Sequence, residues 1–280
     1  MARIPRRLVA LSATGVVAVA AAGSLAVIAS ATPTASLPKL TIALNGTTTT
    51  VGGALQSGGV NIVTTTTTEA HGNPILIRLN PGVTPAQIYA LFNSPTFTDP
   101  NQLAPYGSIV FNAQTSNLGV SDVQTTLAPA QYVATDGNGS GPDATAFTIT
   151  PAASPAVLPT PGGTVSTIDF AIRGAAVLHD GELVRFINRG FVVHMVATKR
   201  ARSLADAHRA IKLLRAGKKV PASLTVGQGF QFDGGLSPGA YQQMTITQHP
   251  GIWIVTCFMN TQDGREHAQL GMVRIIRILK

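Results

Sequence analysis

The stretch Gly251-Ile-Trp-Ile-Val-Thr-Cys257, with Asp263-Gly264, His267 and Met272 after it, decides how this chain is read. It holds the only cysteine and the only tryptophan among 280 residues. Side chains alternate across a strand, so Trp253, Val255 and Cys257 share one face. Two large apolar neighbours on that face put Cys257 at the inner end of a core strand. There the sheet fixes the thiol, yet the thiol still reaches the next loop. His267 lies on that loop, Met272 opens the following strand, and His194 comes from a separate strand after Asn188.

Working outward, the composition suits strands. Only 11% of residues are charged and 5% aromatic, and Gly, Pro, Thr and Ala are abundant, so short strands and many turns are favoured over long helices. Leu40–Leu44, Val60–Thr68, Pro74–Leu79, Ser108–Phe111, Val123–Leu127 and Ala146–Ile149 read as strands in the first half. The second half restarts with Ile168-Asp-Phe-Ala-Ile172, Gly181–Asn188 and Phe191–Ala197 as alternating strands. It continues with Gly229–Phe232, Ala240–Thr247, Gly251–Cys257 and Met272–Leu279. Thr84-Pro85 caps and starts a short helix to about Phe92, and Ser203 with Asp206 caps a second that Gly217 ends. The two halves form a diverged internal repeat. His71 answers His194, and Leu127-Ala-Pro-Ala-Gln-Tyr132 answers Leu236-Ser-Pro-Gly-Ala-Tyr241. The expected fold class is all-β: two tandem Greek-key sandwiches over 38–150 and 167–280, each with a short inserted helix, joined by a Pro-rich linker over 151–166.

Residues 1–31 read as an export signal. Met1-Ala-Arg-Ile-Pro-Arg-Arg7 is basic, Leu8–Ile28 is apolar, and Ala29-Ser30-Ala31 gives an A-x-A cleavage site. The alternative is an uncleaved anchor. The expectation is a secreted or cell-envelope protein with no stable membrane span after cleavage. A single cysteine in such a protein makes no intrachain disulfide, so it needs burial, an intermolecular partner or a metal. Residues 32–167 hold Lys39 and Arg78 against five carboxylates, whereas residues from Ile168 onward hold fifteen basic and seven acidic side chains. The basic half can steer toward an acidic redox partner or an anionic envelope component. A solvated basic face with no partner is the alternative. Export argues against nucleic acid.

Two imidazoles, one thiolate and a weak thioether form the donor set of a trigonal copper site with an axial methionine. Thiolate and thioether suit Cu(I), and imidazole suits both oxidation states. At Gly181-x-x-Val184-x-Phe186-x-Asn188 followed by His194, Gly251-x-Trp253-x-x-x-Cys257 and His267-x4-Met272, the chain resembles the cupredoxins, the plastocyanin-like small copper proteins. The resemblance covers about 167–280 well, and 40–150 only as a degenerate copy. It implies one copper ion held by His194, Cys257, His267 and Met272 in the second half, and a metal-free first half. Family members keep only a few residues between the cysteine and the second histidine, whereas Phe258–Glu266 intervene here. Either Asp263-Gly264 turns the extra residues out and returns His267, or His267 points away. Met195 and Met259 adjoin the proposed ligands and would suit a more thioether-rich site. His179, His208 and His249 read as turn or surface residues.

No His-x-His pair, G-x-S-x-G, H-E-x-x-H or phosphate loop is present, so the chain is not expected to be an enzyme. The resemblance implies one-electron transfer at copper. The competing readings are a metal-free secreted interaction module and copper storage or delivery without redox turnover.

Overall fold

Runs of Val, Ile and Thr, cut at short intervals by Gly, Pro and Asn, fold as many short strands. The computed structural model describes residues 36–45, 48–66, 72–112, 119–137, 144–227, 229 and 231–280. The N-terminal signal expected over 1–31 and His71 lie outside the described residues. Among the described residues no helix is long and apolar enough to cross a membrane.

The first half carries β1 (Lys39–Asn45), β2 (Thr48–Gly53), β3 (Gly58–Thr66), β4 (Pro74–Leu79), β5 (Gly107–Asn112), β6 (Gly119–Leu127), β7 (Ala130–Asp136) and β8 (Thr145–Ile149). Helix α1 (Pro85–Phe92) lies between β4 and β5. The second half carries β9 (Gly163–Ile168), β10 (Ala171–Gly174), β11 (Val177–His179), β12 (Leu183–Asn188) and β13 (His194–Ala201). After helix α2 (Leu204–Arg215) come β14 (Thr225–Val226), β15 (Gln231–Leu236), β16 (Tyr241–Thr245), β17 (Gly251–Thr256) and β18 (Val273–Leu279).

These strands make three sheets. Residues 37–280 form one unit, and an eight-stranded sheet, β10-β9-β12-β16-β6-β3-β1-β2, takes strands from both halves. A six-stranded sheet, β11-β18-β17-β13-β14 with β15 also on β13, belongs to the second half. A four-stranded sheet, β5-β4-β7-β8, belongs to the first. Each half buries its own core. Leu40, Ile62, Phe111, Val123 and Tyr132 fill one, and Phe186, Trp253, Val255, Cys257, Met272 and Ile276 fill the other.

Several expectations change. The halves are not spaced by a free linker. They meet edge to edge at β6 and β16, where Gln243 lies opposite Gln124 and the Gln243 amide donates to Gln124 Oε1 at 2.9 Å. Of the stretch expected as linker, Ala156 accepts a hydrogen bond from the Gly59 N–H at 2.6 Å, and the residues from Gly163 onward already belong to β9. Ile168–Ile172 is not one strand: β9 ends at Ile168 and β10 starts at Ala171, with Asp169-Phe170 as a turn. The aspartate, a poor strand former, is the reason. Phe191–Val193 is loop rather than strand, held by side chains described below. The match of Leu127–Tyr132 to Leu236–Tyr241 also fails. β6 to β7 crosses from the shared sheet to the four-stranded one, while β15 to β16 crosses into the shared sheet.

The strand facing the core is buried on both sides. Trp253, Val255 and Cys257 point into the sandwich, while Ile252 and Ile254 lie under α2 with Ala207, Ala210 and Leu214. Helix α2 is framed as its sequence dictates. The Ser203 hydroxyl accepts from the Asp206 N–H at 3.1 Å. At the other end Gly217 (φ 65°) lets the Gly217 and Lys218 N–H groups return to the Leu214 and Leu213 carbonyls at 3.0 and 2.9 Å. Its capped, buried face clamps the outer side of β17 and so steadies the cysteine end of that strand.

Gln242 is the buried rivet between the halves: its amide accepts from the Asn112 N–H at 3.2 Å and donates to the Asn112 carbonyl at 3.0 Å. Replacing Gln242 by Ala leaves both backbone groups buried without that partner and should lower stability by about 1–3 kcal/mol. In urea titrations, Trp253 fluorescence and far-UV circular dichroism should trace one coincident transition, shifted to lower urea in the variant.

Candidate metal centre

The strand register delivers three donors to one end of the second core. Cys257 follows the last residue of β17. Its N–H donates to the Met272 carbonyl at 3.1 Å and its carbonyl accepts from the Ala268 N–H at 3.0 Å. The thiol sulfur receives the Met195 N–H at 3.4 Å. Backbone pairing on both sides therefore fixes where the sulfur stands.

His194 is the first residue of β13, and Asn188 prepares it. The Asn188 amide donates to the carbonyls of Val192 (2.8 Å) and Leu236 (2.7 Å), and its oxygen accepts from the Gly190 N–H at 2.8 Å. The loop 189–193 is thereby tied at both ends. The first half adds one more tie, since Asn101 Oδ1 accepts from the Val193 N–H at 2.7 Å. His194 Nε2 lies 3.0 Å from Asp169 Oδ1. A Cβ at residue 190 would come within 2.5 Å of that oxygen and 2.6 Å of Nε2, so the pair exists only beside a glycine.

The long segment after Cys257 turns out and returns. Asn260 and Glu266 form an antiparallel bridge. Thr261 N–H donates to the Arg265 carbonyl at 2.8 Å, and Gly264 (φ 82°) N–H donates to the Thr261 carbonyl at 2.9 Å. Asp263 is gripped by the Arg265 guanidinium at 2.6 Å and by the Thr261 hydroxyl. The His267 N–H then donates to the Met259 carbonyl at 2.8 Å. The nine extra residues thus close on themselves as a small hairpin, and His267 points inward.

The outcome is a buried triad. His194 Nδ1 and His267 Nδ1 are 3.1 Å apart, and Cys257 Sγ lies 4.0 Å from the first and 3.4 Å from the second. Each of the three residues is at most 1% exposed. A first-row ion with metal–nitrogen bonds near 2.0 Å and a metal–sulfur bond near 2.3 Å, in trigonal array, needs donor separations of roughly 3–4 Å. The triad fits. Met272 is fully buried in the same core as Cys257, and its N–H donates to the His267 carbonyl at 3.0 Å. Met195 and Met259 are partly buried against this core. His179, His208 and His249 are exposed. Above His267 opens a cleft of about 400 Å³ lined by Asp99, Asn101, Phe170, Val192 and residues 260–263.

The alternation of Ile168–Ile172 reads as one strand and so conceals the turn at Asp169 and Phe170. An aspartate amid apolar β-formers was the available turn signal. Phe170 is the only non-glycine at positive φ among the described residues (φ 61°), a conformation that costs an L-residue about 1–2 kcal/mol.

Burial keeps both imidazoles neutral, which is the form that binds a metal. Burial pushes His194 below the usual 6.5, with Asp169 partly opposing. Burial, with repulsion from His194 added, pushes His267 down to about 4. The unfolded chain takes up protons on these histidines near pH 6.5, whereas the folded chain resists until lower pH. Stability of the metal-free protein should therefore fall as pH drops from about 6.5 toward 4, and the histidine contribution should be level above pH 7. Urea unfolding across that range checks this, and His267→Phe should flatten part of the slope.

No family model matches the chain, and no curated protein matches it. Solved structures do. A dithionite-reduced auracyanin from the photosynthetic bacterium Roseiflexus castenholzii is 14% identical over 42% of this chain and 95% of its own, with a TM-score of 0.27. A purple cupredoxin from Nitrosopumilus maritimus is 10% identical over 41% and 97%, with a TM-score of 0.23. A multicopper oxidase spans both halves, 86% of this chain and 87% of its own, at 11% identity and a TM-score of 0.25. Auracyanin and cupredoxin structures are thus among the neighbours of this chain, and what its site can do follows from its own donors.

Proposed function

We propose that the chain is an exported copper protein that passes single electrons, built as two cupredoxin-like Greek-key sandwiches of which only the second holds metal. The observation that carries this is the convergence of His194 Nδ1, His267 Nδ1 and Cys257 Sγ within 4.8 Å of one another inside a core. One thiolate and two imidazoles form a soft, nitrogen-rich set that accommodates both copper oxidation states, with Met272 as the weak fourth donor. Bound copper would supply the one-electron couple. The residues supply everything else. Backbone hydrogen bonds hold Cys257, the Asn188 ties hold the loop before His194, and the closed hairpin sets His267, so donor positions need not rearrange between states. The apolar core excludes water from the sulfur. The cleft above His267 is the access route for an electron donor or acceptor, and the basic second half favours an acidic one. In this reading the protein is a carrier rather than an enzyme.

The test is to purify the chain from Thr32 onward, add Cu(II), and record visible absorption and electron paramagnetic resonance beside Cys257→Ser. An intense thiolate-to-copper band in the parent, abolished in the variant, is the expected result. Tight Cu(I) binding without a coloured Cu(II) state would overturn electron transfer in favour of storage or delivery. Absence of binding in both oxidation states would remove copper altogether and leave a metal-free interaction module.

A further inference from the structure

The turn between β9 and β10 does more than reverse the chain. Ile168 pairs directly with Ala171, so Asp169-Phe170 is the whole two-residue loop. Such loops call for residues that accept positive φ, ordinarily Gly or Asn. Here the position at φ 61° is a phenylalanine, and its side chain is 41% exposed rather than locked in a core. Nothing in the hairpin itself rewards that choice.

What the two side chains touch supplies the reward. Asp169 reaches His194 Nε2 at 3.0 Å and also accepts the Phe191 N–H on both oxygens, at 3.0 and 3.1 Å. Phe170 stands edge-on to the His267 ring, with centroids 5.6 Å apart and planes at 85°. Its carbonyl lies against Gly271, where an added Cβ would sit 3.1 Å away. One turn therefore contacts both imidazoles, which come from positions 73 residues apart.

We propose that Asp169-Phe170 is a positioning clamp that presets both histidines for the metal, each residue acting on one ring. A carboxylate only accepts hydrogen bonds, so the Asp169 contact requires the proton on His194 Nε2 and leaves the Nδ1 lone pair facing Cys257 and His267. The negative charge behind the ring also favours the more highly charged state of an ion in front of it. Phe170 limits rotation of His267 by its edge-on contact and lines the cleft beside it. The left-handed backbone is retained because it aims the ring, as strain at a working site often is.

The metal half of this inference rests on the copper reading, so the test has a metal-free arm. In the metal-free chain, nitrogen-15 NMR of the imidazoles should show one His194 tautomer, protonated at Nε2, in the parent and a mixture in Asp169→Ala. A mixture already present in the parent would overturn the clamp even if copper binds. In the copper arm, Asp169→Asn keeps an acceptor but drops the charge. It should weaken Cu(II) binding relative to Cu(I) about tenfold, raising the reduction potential by about 59 mV. Phe170→Gly should lower copper affinity about tenfold while the melting temperature of the metal-free protein holds or rises. An unchanged potential in the first variant, or unchanged affinity in the second, would overturn the corresponding half. A fall in melting temperature parallel to the loss of affinity would reduce Phe170 to packing. Failure of the parent to bind copper would overturn the copper reading and leave the tautomer measurement to decide the clamp.

Discussion

Two neutral imidazoles and a cysteine sulfur must sit together in a core that admits almost no water. A buried polar group costs about 1–3 kcal/mol wherever it finds no partner, so three polar side chains buried side by side each need one. The surroundings answer that demand group by group. The sulfur takes a backbone N–H from Met195, one ring faces Asp169, and the other is flanked by Phe170 and its own loop. The three inward atoms also face one another. A metal ion is one resolution of that mutual crowding. A bound ion would be held by His194, His267 and Cys257 together, in place of the contacts they make with one another.

The rigidity around the cluster is borrowed from distant elements. Helix α2 seals the outer face of β17, so the strand ending at Cys257 is buried on both sides. Asn188 binds the end of β12 to the loop before His194 and to β15. The first half, which lacks the donor set, still reaches the site through Asn101 and through the cleft it shares with Phe170 and His267. Its contribution to this site is a wall.

Much of this was legible in the chain itself. Alternation at Trp253, Val255 and Cys257 gave the core face, and the residue types at His194, Cys257 and His267 marked the three that the fold brings together. The caps Thr84-Pro85 and Ser203 placed both helices, because capping is a local rule. What was illegible depended on distant partners. Nothing local says that β6 and β16 pair, since one shared edge between halves is a tertiary choice. The segment 258–266 admitted two readings, and only its internal bridge at Asn260 and Glu266 selects one. Asp169 and Phe170 were hidden by an apolar alternation that looked like a continuous strand. The hydrogen bond to His194 that gives Asp169 its place comes from a residue 25 positions away.

The shared sheet has one more implication. An open strand edge is a row of unpaired backbone donors and acceptors that invites a neighbour's chain. By joining β6 to β16 at Gln124 and Gln243, the molecule sets two such edges against each other and leaves β2 and β10 as the sheet's ends. A fragment containing only the second half would bare the side of β16. It would then be prone to pair with a second copy along that side. The first half thus covers that edge of the second, in addition to walling its site.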